Sequence, residues 1–271
     1  MKRLSFALMA ATVALVTGLF AAFPDSADAQ TFTGIRNTKH NLSSNGPGTR
    51  NNATNQGEVC VFCHTPHGSS TTAAAPLWNR KIDTSKTYQM YEGNGAFDGA
   101  GTIGFIASSV SLACLSCHDG SQAMDTVLNK PGSGGYNADG SSMGSTWSSP
   151  SGSGAQSAGK LTGLANLDDS VGLKNDHPVG MEYAKWGSVT LDPDFKTAAK
   201  VTGKNLWYVE SGKGNGSDRD KQDMFLYTRD ISGTAKPYVE CASCHDPHVE
   251  NQTFLRIPNT DSDVCLTCHT K

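Results

Sequence analysis

The residues of this chain whose types and spacing could do chemistry are its eight cysteines and eight histidines. Every cysteine belongs to a Cys-x-x-Cys-His pentapeptide, and the four pentapeptides, called here the first to fourth boxes, are Cys60–His64, Cys114–His118, Cys241–His245 and Cys265–His269. In a helical turn, positions i, i+3 and i+4 share one face, so two thiols and one imidazole can reach the same group. This pattern is typical of covalent haem c attachment, in which the thiols form thioether bonds and the histidine binds iron.

The boxes predict four covalently bound haem c groups in each chain. Zinc binding and disulfide bonds are alternative uses of cysteine, but neither requires a histidine directly after every second cysteine. The predicted attachment residues are Cys60, Cys63, Cys114, Cys117, Cys241, Cys244, Cys265 and Cys268. The predicted iron ligands within the boxes are His64, His118, His245 and His269.

Four histidines lie outside the boxes, and four irons each need a second axial ligand. These spare histidines are His40, His67, His177 and His248. We therefore predict two histidine ligands at every iron. The alternative is that some spare histidines are surface residues and that methionine or lysine completes an iron. Ligation without methionine favours low reduction potentials, because a methionine ligand raises them.

Two of the boxes, called here the long boxes, carry a second histidine three residues after their own. His67 follows His64, and His248 follows His245. Such a histidine stays on the same side of its own haem, so it should bind a different iron, and three residues span at most about 10–11 Å. By repetition, His67 is predicted to serve the second box and His248 the fourth. The other two spare histidines then serve the first and third boxes, in an order that the sequence leaves open.

The first 29 residues have the pattern of a signal peptide. A basic start precedes an apolar run over residues 6–23 and an A-x-A motif at residues 27–29. We predict cleavage before Gln30, with a retained membrane anchor as the alternative. No second apolar run follows, so we predict no transmembrane segment in the mature chain. Because haem c is attached outside the bacterial cytoplasm, we predict an exported protein that is extracellular or on the outer cell surface, with the periplasm as the alternative.

Composition and repetition predict an unusual fold. Glycine makes up 29 of 271 residues, about 11% against a typical value of about 7%. We therefore predict mostly irregular coil with short α-helices at the boxes, little β-structure and a core dominated by haem. Twice in the chain, a long box is followed by a box without the second histidine, called here a short box. This repetition predicts modular haem pairs. The predicted divisions are a cleaved signal peptide (1–29), an N-terminal di-haem unit (30–130), a Gly/Ser-rich insertion and connecting region (131–235) and a C-terminal di-haem unit (236–271).

The chain resembles the doubled CxxCH family of bacterial multihaem c-type cytochromes. The resemblance rests on the C-x-x-C-H-x-P-H pattern of the long boxes and on residues 40–43 and 177–178, and it covers less than half of the chain. Within that family, the chain is similar to OmcE-type tetrahaem extracellular filament cytochromes (nanowires) of metal-reducing bacteria. The resemblance implies a head-to-tail homopolymer whose haems form a continuous electron conduit, with one axial histidine donated by a neighbouring subunit. It favours His40 as that donor, with a ligand from the same chain as the alternative.

The sequence favours an electron-transfer protein without a substrate of its own over an enzyme. Iron with two imidazoles has no open position for a small molecule, and the resemblance implies redox partner cytochromes or extracellular metal oxides as electron partners. One alternative is a multihaem oxidoreductase that reduces a small oxyanion, which needs one five-coordinate haem. Another is a haem-dense structural or sensor protein. The formal net charge of −3 argues against nucleic acid as a partner.

Overall fold

The structure is a computed structural model that describes residues 34–47, 52–91, 108–148, 156–216, 218–231 and 233–271. The predicted signal peptide and its cleavage site lie outside these ranges. In the part of the chain that is described, no helix combines the length and the apolar character needed to cross a membrane.

In the described residues, the α-helices are few and short, and they lie at the boxes. They are α1 (Ser111–His118), α2 (Cys241–Cys244) and α3 (Asp263–Cys268). The first box forms a single helical turn, in which the backbone N–H of His64 donates to the carbonyl of Cys60 at 2.8 Å. Short 3₁₀ helices occur at Gly34–Asn37, Gly163–Ala165, Gly172–Asn175, Gln252–Phe254 and Thr260–Ser262.

Helix α1 ends immediately after its box because a glycine reverses the chain. Gly120 has a φ of +66°, a left-handed conformation that glycine adopts without steric cost. Its N–H donates to the carbonyl of Cys117 at 3.2 Å. His118 is therefore the last residue of the helix, next to the segment that leaves it.

The prediction of little β-structure is wrong. The described residues are 17% helix and 24% strand. Their strands are β1 (Thr126–Asn129), β2 (Tyr136–Ser142), β3 (Gln156–Ser157), β4 (Lys160–Leu161), β5 (Met181–Glu182), β6 (Lys185–Trp186), β7 (Val189–Thr190), β8 (Ala199–Lys200), β9 (Trp207–Val209), β10 (Met224–Ile231) and β11 (Thr234–Val239). Five of them form an antiparallel sheet in the order β5-β11-β10-β9-β8, and the others pair in twos.

The β10–β11 hairpin is the centre of this sheet. Its strands are rich in aromatic and β-branched residues, which favour strands, and Tyr227 pairs with Tyr238 in register. Gly233, with a φ of +80°, lies in the tight turn between them, where glycine is favoured. Much of the sheet lies within the region predicted to be a Gly/Ser-rich insertion and connection, so that region contains ordered structure that the sequence analysis did not anticipate.

Packed side chains form a core beside the boxes. One cluster contains seven buried side chains, those of Tyr183, Ala198, Trp207, Val209, Met224, Leu226 and Ile257. A second contains Leu42, Ala53, Val61, Phe62, Met124 and Leu161. Cys244 and Cys268 pack against the first cluster, and Cys63 and Cys117 pack against the second. Each cluster therefore supports the cysteines of two different boxes.

Candidate functional site

Six of the eight histidines meet in three pairs, and each pair joins one box histidine to one spare histidine. The distances between ring centres are 6.1 Å for His64 and His248, 6.1 Å for His40 and His118, and 6.4 Å for His177 and His269. The interplanar angles are 21°, 89° and 68°, respectively.

This spacing fits two imidazoles on opposite sides of one metal ion. A metal–nitrogen bond of about 2.0–2.1 Å on each side, plus about 1.1 Å from each nitrogen to its ring centre, gives about 6.2–6.4 Å. Any interplanar angle is compatible with this geometry, because both ring planes contain the axis through the metal. The histidines of the first, second and fourth boxes therefore each have a spare histidine at a distance suitable for axial ligation.

Backbone hydrogen bonds hold several of these rings in the tautomer that a metal requires. The Nδ1 atoms of four histidines donate to carbonyl oxygens: His64 to Pro76 at 2.7 Å, His118 to Ala165 at 2.8 Å, His245 to Thr253 at 2.8 Å and His177 to Pro178 at 3.0 Å. A carbonyl can only accept, so Nδ1 carries the proton and Nε2 keeps its lone pair. This arrangement is typical of histidines that bind metal through Nε2.

Burial also favours the neutral form of three of the paired histidines, because it lowers the pKa of each. It lowers the pKa of His40 to about 4, with a further contribution from the neighbouring His118. Burial likewise lowers the pKa of His118 and of His177. Only the neutral ring offers a lone pair to a metal, so these side chains are in the protonation state suited to ligation.

Each long box is held by a later segment, called here its strap, which is residues 76–79 for the first box and residues 253–256 for the third. After the first box, Thr65 N–H donates to the Leu77 carbonyl at 2.9 Å, and Asn79 N–H donates to the Cys63 carbonyl at 2.8 Å. Leu77 has a φ of +54°. This first strap also supplies the Pro76 carbonyl that binds His64, so it orients the histidine as well as the box.

The third box has the same kind of strap. Asp246 N–H donates to the Phe254 carbonyl, and Arg256 N–H donates to the Cys244 carbonyl, both at 2.8 Å. Phe254 has a φ of +60°, matching the left-handed residue of the first strap. The sequence analysis missed both straps because their sequences differ and begin at different distances from their boxes. The shared backbone pattern extends the internal repeat beyond the cysteine motif.

The cysteines bring the boxes together in chain order. Cys63 and Cys117 border the same apolar cluster, which places the first box beside the second. The thiols of Cys114 and Cys241 interact with each other, which raises the pKa of Cys114 and places the second box beside the third. The third and fourth boxes meet at the other cluster, through Cys244 and Cys268.

Three of the cysteines lie in surroundings that disfavour the charged thiolate. Burial raises the pKa of Cys63 and of Cys268 to about 12 and that of Cys244 to about 11. None of the eight cysteines, all of which lie in described ranges, is part of a disulfide bond. Within those ranges, no three Cys, His, Asp or Glu side chains form a cluster for a metal ion. The neutral thiols and apolar walls suit covalent attachment to a flat apolar macrocycle.

The observed pairing differs from the pairing predicted from the sequence. His248 lies against His64 of the first box, rather than at the fourth box. His40 lies against His118 of the second box within the same chain. The two histidines that remain are His67 and His245, whose side chains are both exposed. In the described part of the chain, neither ring contacts another histidine ring.

A buried charged network, which the sequence analysis did not identify, joins the second and third boxes. Glu240, directly before α2, accepts hydrogen bonds from Arg229, from Ser111 and, at 2.7 Å, from Ser109. Ser111 begins α1 and also accepts a hydrogen bond from the Cys241 N–H at 3.0 Å. Glu240 is 1% exposed. The network therefore fixes the start of one box helix against the start of the other.

Comparison with known proteins identifies part of this arrangement. Residues 236–271 match the family model described as Doubled CXXCH motif. This range contains the third and fourth boxes, together with α2 and α3. A search of curated proteins found no match for the chain. The CXXCH motif indicates covalent haem c binding and is typical of cytochrome-type electron carriers.

Proposed function

We propose that the chain is a tetrahaem electron-transfer protein in which each box binds one haem c between two imidazoles. The observation that carries the proposal is the set of three histidine pairs at 6.1–6.4 Å, each with one box histidine. Haem c supplies one-electron redox chemistry, and the chain supplies its thiols, two axial nitrogens and an apolar enclosure. Two imidazoles leave no iron position for a substrate, which favours electron transfer over catalysis.

The neighbouring boxes suggest the route that electrons take. Thioether sulfurs attach to the edge of a macrocycle, so adjacent sulfurs from two boxes bring two edges together. The Cys114 and Cys241 thiols interact directly, and the cysteines of the first and second boxes, like those of the third and fourth, border one apolar cluster. The His64–His248 pair additionally joins the first box to the segment after the third. This sequence of neighbouring boxes supports a route of short electron hops.

We further propose that the chain polymerises head to tail, with His67 binding the third-box haem of a neighbouring chain. Three pairs use six histidines, so one spare histidine and one box histidine remain, and both are exposed. Leu77, whose carbonyl binds the Thr65 N–H, and Tyr136, which lies beside Gly68, are 52% and 60% exposed. Large exposed apolar side chains next to this segment suit a protein interface. A ligand donated in one direction is a heterologous contact, which propagates into an open filament unless a ring closes.

The proposed filament lies outside the cell, where its electron partners are redox cytochromes or extracellular metal oxides. The resemblance to filament cytochromes supports this assignment, and the haem c motif suits an exported protein.

One observation favours a second function. A single chain leaves His245 without a ring partner in the described residues, so the third-box haem of a monomer has an open position that a small oxyanion could occupy.

The haem count is tested by the mass of the secreted protein. We expect a mature chain beginning at Gln30 and carrying four covalent haems, because four intact boxes follow the A-x-A motif. Intact-protein mass spectrometry measures both quantities. A mass that corresponds to three or fewer haems contradicts the tetrahaem assignment.

Carbon monoxide distinguishes electron transfer from catalysis. We expect reduced filaments to resist carbon monoxide, because every iron has two imidazoles, and to show only low-spin signals when oxidised. Dissociated single chains should bind carbon monoxide at one haem, the one on Cys241 and Cys244. Optical and electron paramagnetic resonance spectra measure both states. Binding to intact filaments at one haem per chain supports the oxidoreductase instead.

Replacing His40 with alanine tests the pairing within one chain. We expect the haem on Cys114 and Cys117 to become high-spin while filaments persist, because His40 and His118 are 6.1 Å apart in the same chain. The matched control adds His40→Ala to a Cys114→Ser/Cys117→Ser variant, in which no further spin change should occur. A new high-spin signal in that background places His40 on another iron.

A further inference from the structure

We infer that Asp246 is a positioning residue that lowers the potential of the first-box haem relative to the other three. The inference rests on the proposed function, in which His64 and His248 bind one iron. The Nδ1 atom of His248 donates to the Asp246 carboxylate at 3.0 Å. The Nδ1 atoms of His64, His118, His177 and His245 donate instead to neutral backbone carbonyls.

Two backbone hydrogen bonds hold the Asp246 carboxylate beside the His248 ring. Asp246 Oδ1 also accepts the backbone N–H of His248 at 2.9 Å. The N–H of Asp246 itself donates to the Phe254 carbonyl of the strap at 2.8 Å. The Asp246 side chain is 18% exposed, against 57% for His248. The acceptor is therefore more shielded from solvent than the imidazole it contacts.

The guanidinium of Arg256 lies near this carboxylate, closer to the oxygen that does not contact the ring. Arg256 Nη1 is 3.9 Å from Asp246 Oδ2, the oxygen that does not face His248. The guanidinium donates at shorter range to backbone carbonyls, including Ala242 at 2.9 Å and Lys221 at 3.2 Å. Asp246 Oδ1 consequently remains available to the imidazole as a charged acceptor.

A charged hydrogen-bond acceptor changes the electron donation from the histidine to iron. It draws the Nδ1 proton more strongly than a carbonyl does, which increases the electron donation of Nε2. Stronger donation stabilises oxidised iron, so the potential falls. The first long box has Thr65 at the matching position, and its hydroxyl donates to the His67 carbonyl at 3.0 Å. The two long boxes therefore differ in the ligand that each contributes, and electrons are driven away from the first-box haem.

The test is Asp246→Asn, which keeps an oxygen acceptor and removes the charge. Spectroelectrochemical titration of the intact tetrahaem protein should show the lowest of the four potentials rise, while every haem stays low-spin. A Cys60→Ser/Cys63→Ser variant, which lacks the first-box haem, should lack that lowest potential. The matched control Asp139→Asn removes a surface carboxylate that is 84% exposed and pairs with Lys81, and it should leave the lowest potential in place.

Two further variants keep the inference separable from folding and from the proposed function. Asp246→Glu restores a carboxylate and should lower the potential again, whereas Asp246→Thr copies the first long box and should raise it, even if the asparagine variant fails to load haem. If all haems are low-spin and the lowest potential shifts no more in the asparagine and threonine variants than in the control, Asp246 does not have this role. That result leaves the ligand assignment intact. A first-box haem that stays low-spin in His248→Ala overturns the ligand assignment itself, and with it the proposed function at that iron.

Discussion

Replacing His67 with alanine is expected to convert filaments into single chains with one altered haem. The proposed filament is closed at each junction by one iron–imidazole bond from His67 to the third-box haem of the next chain. Without that bond, the iron at His245 has one imidazole and becomes high-spin. The three haems paired within the chain keep both ligands and stay low-spin. Electron microscopy measures the assembly, and electron paramagnetic resonance counts the affected haem.

A matched variant separates the loss of a ligand from the loss of a junction. His177→Ala also removes one spare histidine, but His177 lies 6.4 Å from His269 in the same chain. We expect this variant to gain one high-spin haem and to keep its filaments. Added imidazole should restore a low-spin spectrum to His67→Ala without restoring filaments, because free imidazole replaces the ligand and not the connection.

A mixture of two variants, each lacking one half of the junction, tests the junction directly. His67→Ala retains an acceptor haem but has no donor, and Cys241→Ser/Cys244→Ser retains His67 but has no third-box haem. Each should remain monomeric alone, and together they should form dimers with a single junction. Filaments that persist in His67→Ala, or a high-spin haem at Cys114 and Cys117 instead, contradict the proposed junction. The second result would support the pairing predicted from the sequence.

The proposed chemistry of this site is visible in the sequence because covalent attachment requires a short, contiguous motif. Three bonds to one haem come from neighbouring positions in the chain, so each box points to the two cysteines and the histidine that we propose to act. The partner of each box histidine is a different problem. A three-residue spacing limits the distance from His64 to His67 but leaves the direction open, so it could not show that His248 crosses from the C-terminal unit to His64.

The straps illustrate a second limit. Their function lies in backbone carbonyls, which every residue possesses, so the strap at Pro76 and the strap at Thr253 need share no side chain. A left-handed residue follows in both, and it is leucine in one and phenylalanine in the other, neither of which signals a positive φ. Only the folded chain reveals that the two segments hold their boxes in the same way.

The missed sheet has a different origin. Residues 224–239 contain the aromatic and β-branched side chains that favour strands, but the high glycine content of the whole chain dominated the prediction. In β10, Met224 and Leu226 are buried while Phe225 and Tyr227 are partly exposed, which is the alternation expected of a strand with one face on a core. A local analysis of that window could therefore have predicted the hairpin, although not its place in the sheet.

Replacing Glu240 with alanine is expected to give the largest loss of stability, because it removes the carboxylate that pairs with the buried guanidinium of Arg229. Arg229 is 4% exposed and donates to Glu240. Removing one member of a buried ion pair costs about 3–5 kcal/mol of the free energy of unfolding. The double variant Arg229→Met/Glu240→Leu should recover much of the loss, since it removes both charges. Denaturant unfolding of the tetrahaem protein measures each change.

Replacing Glu240 with alanine should also slow electron exchange between the haems of the second and third boxes. Glu240 and Ser111 hold the start of α2 against the start of α1, where the Cys114 and Cys241 sulfurs meet. The surface variant Asp139→Ala, which breaks an exposed pair, is the control and should change neither stability nor electron exchange appreciably. Transient absorption after photoreduction measures the exchange. A Glu240→Ala protein that matches this control in both measurements shows that the network neither stabilises the fold nor positions the two boxes.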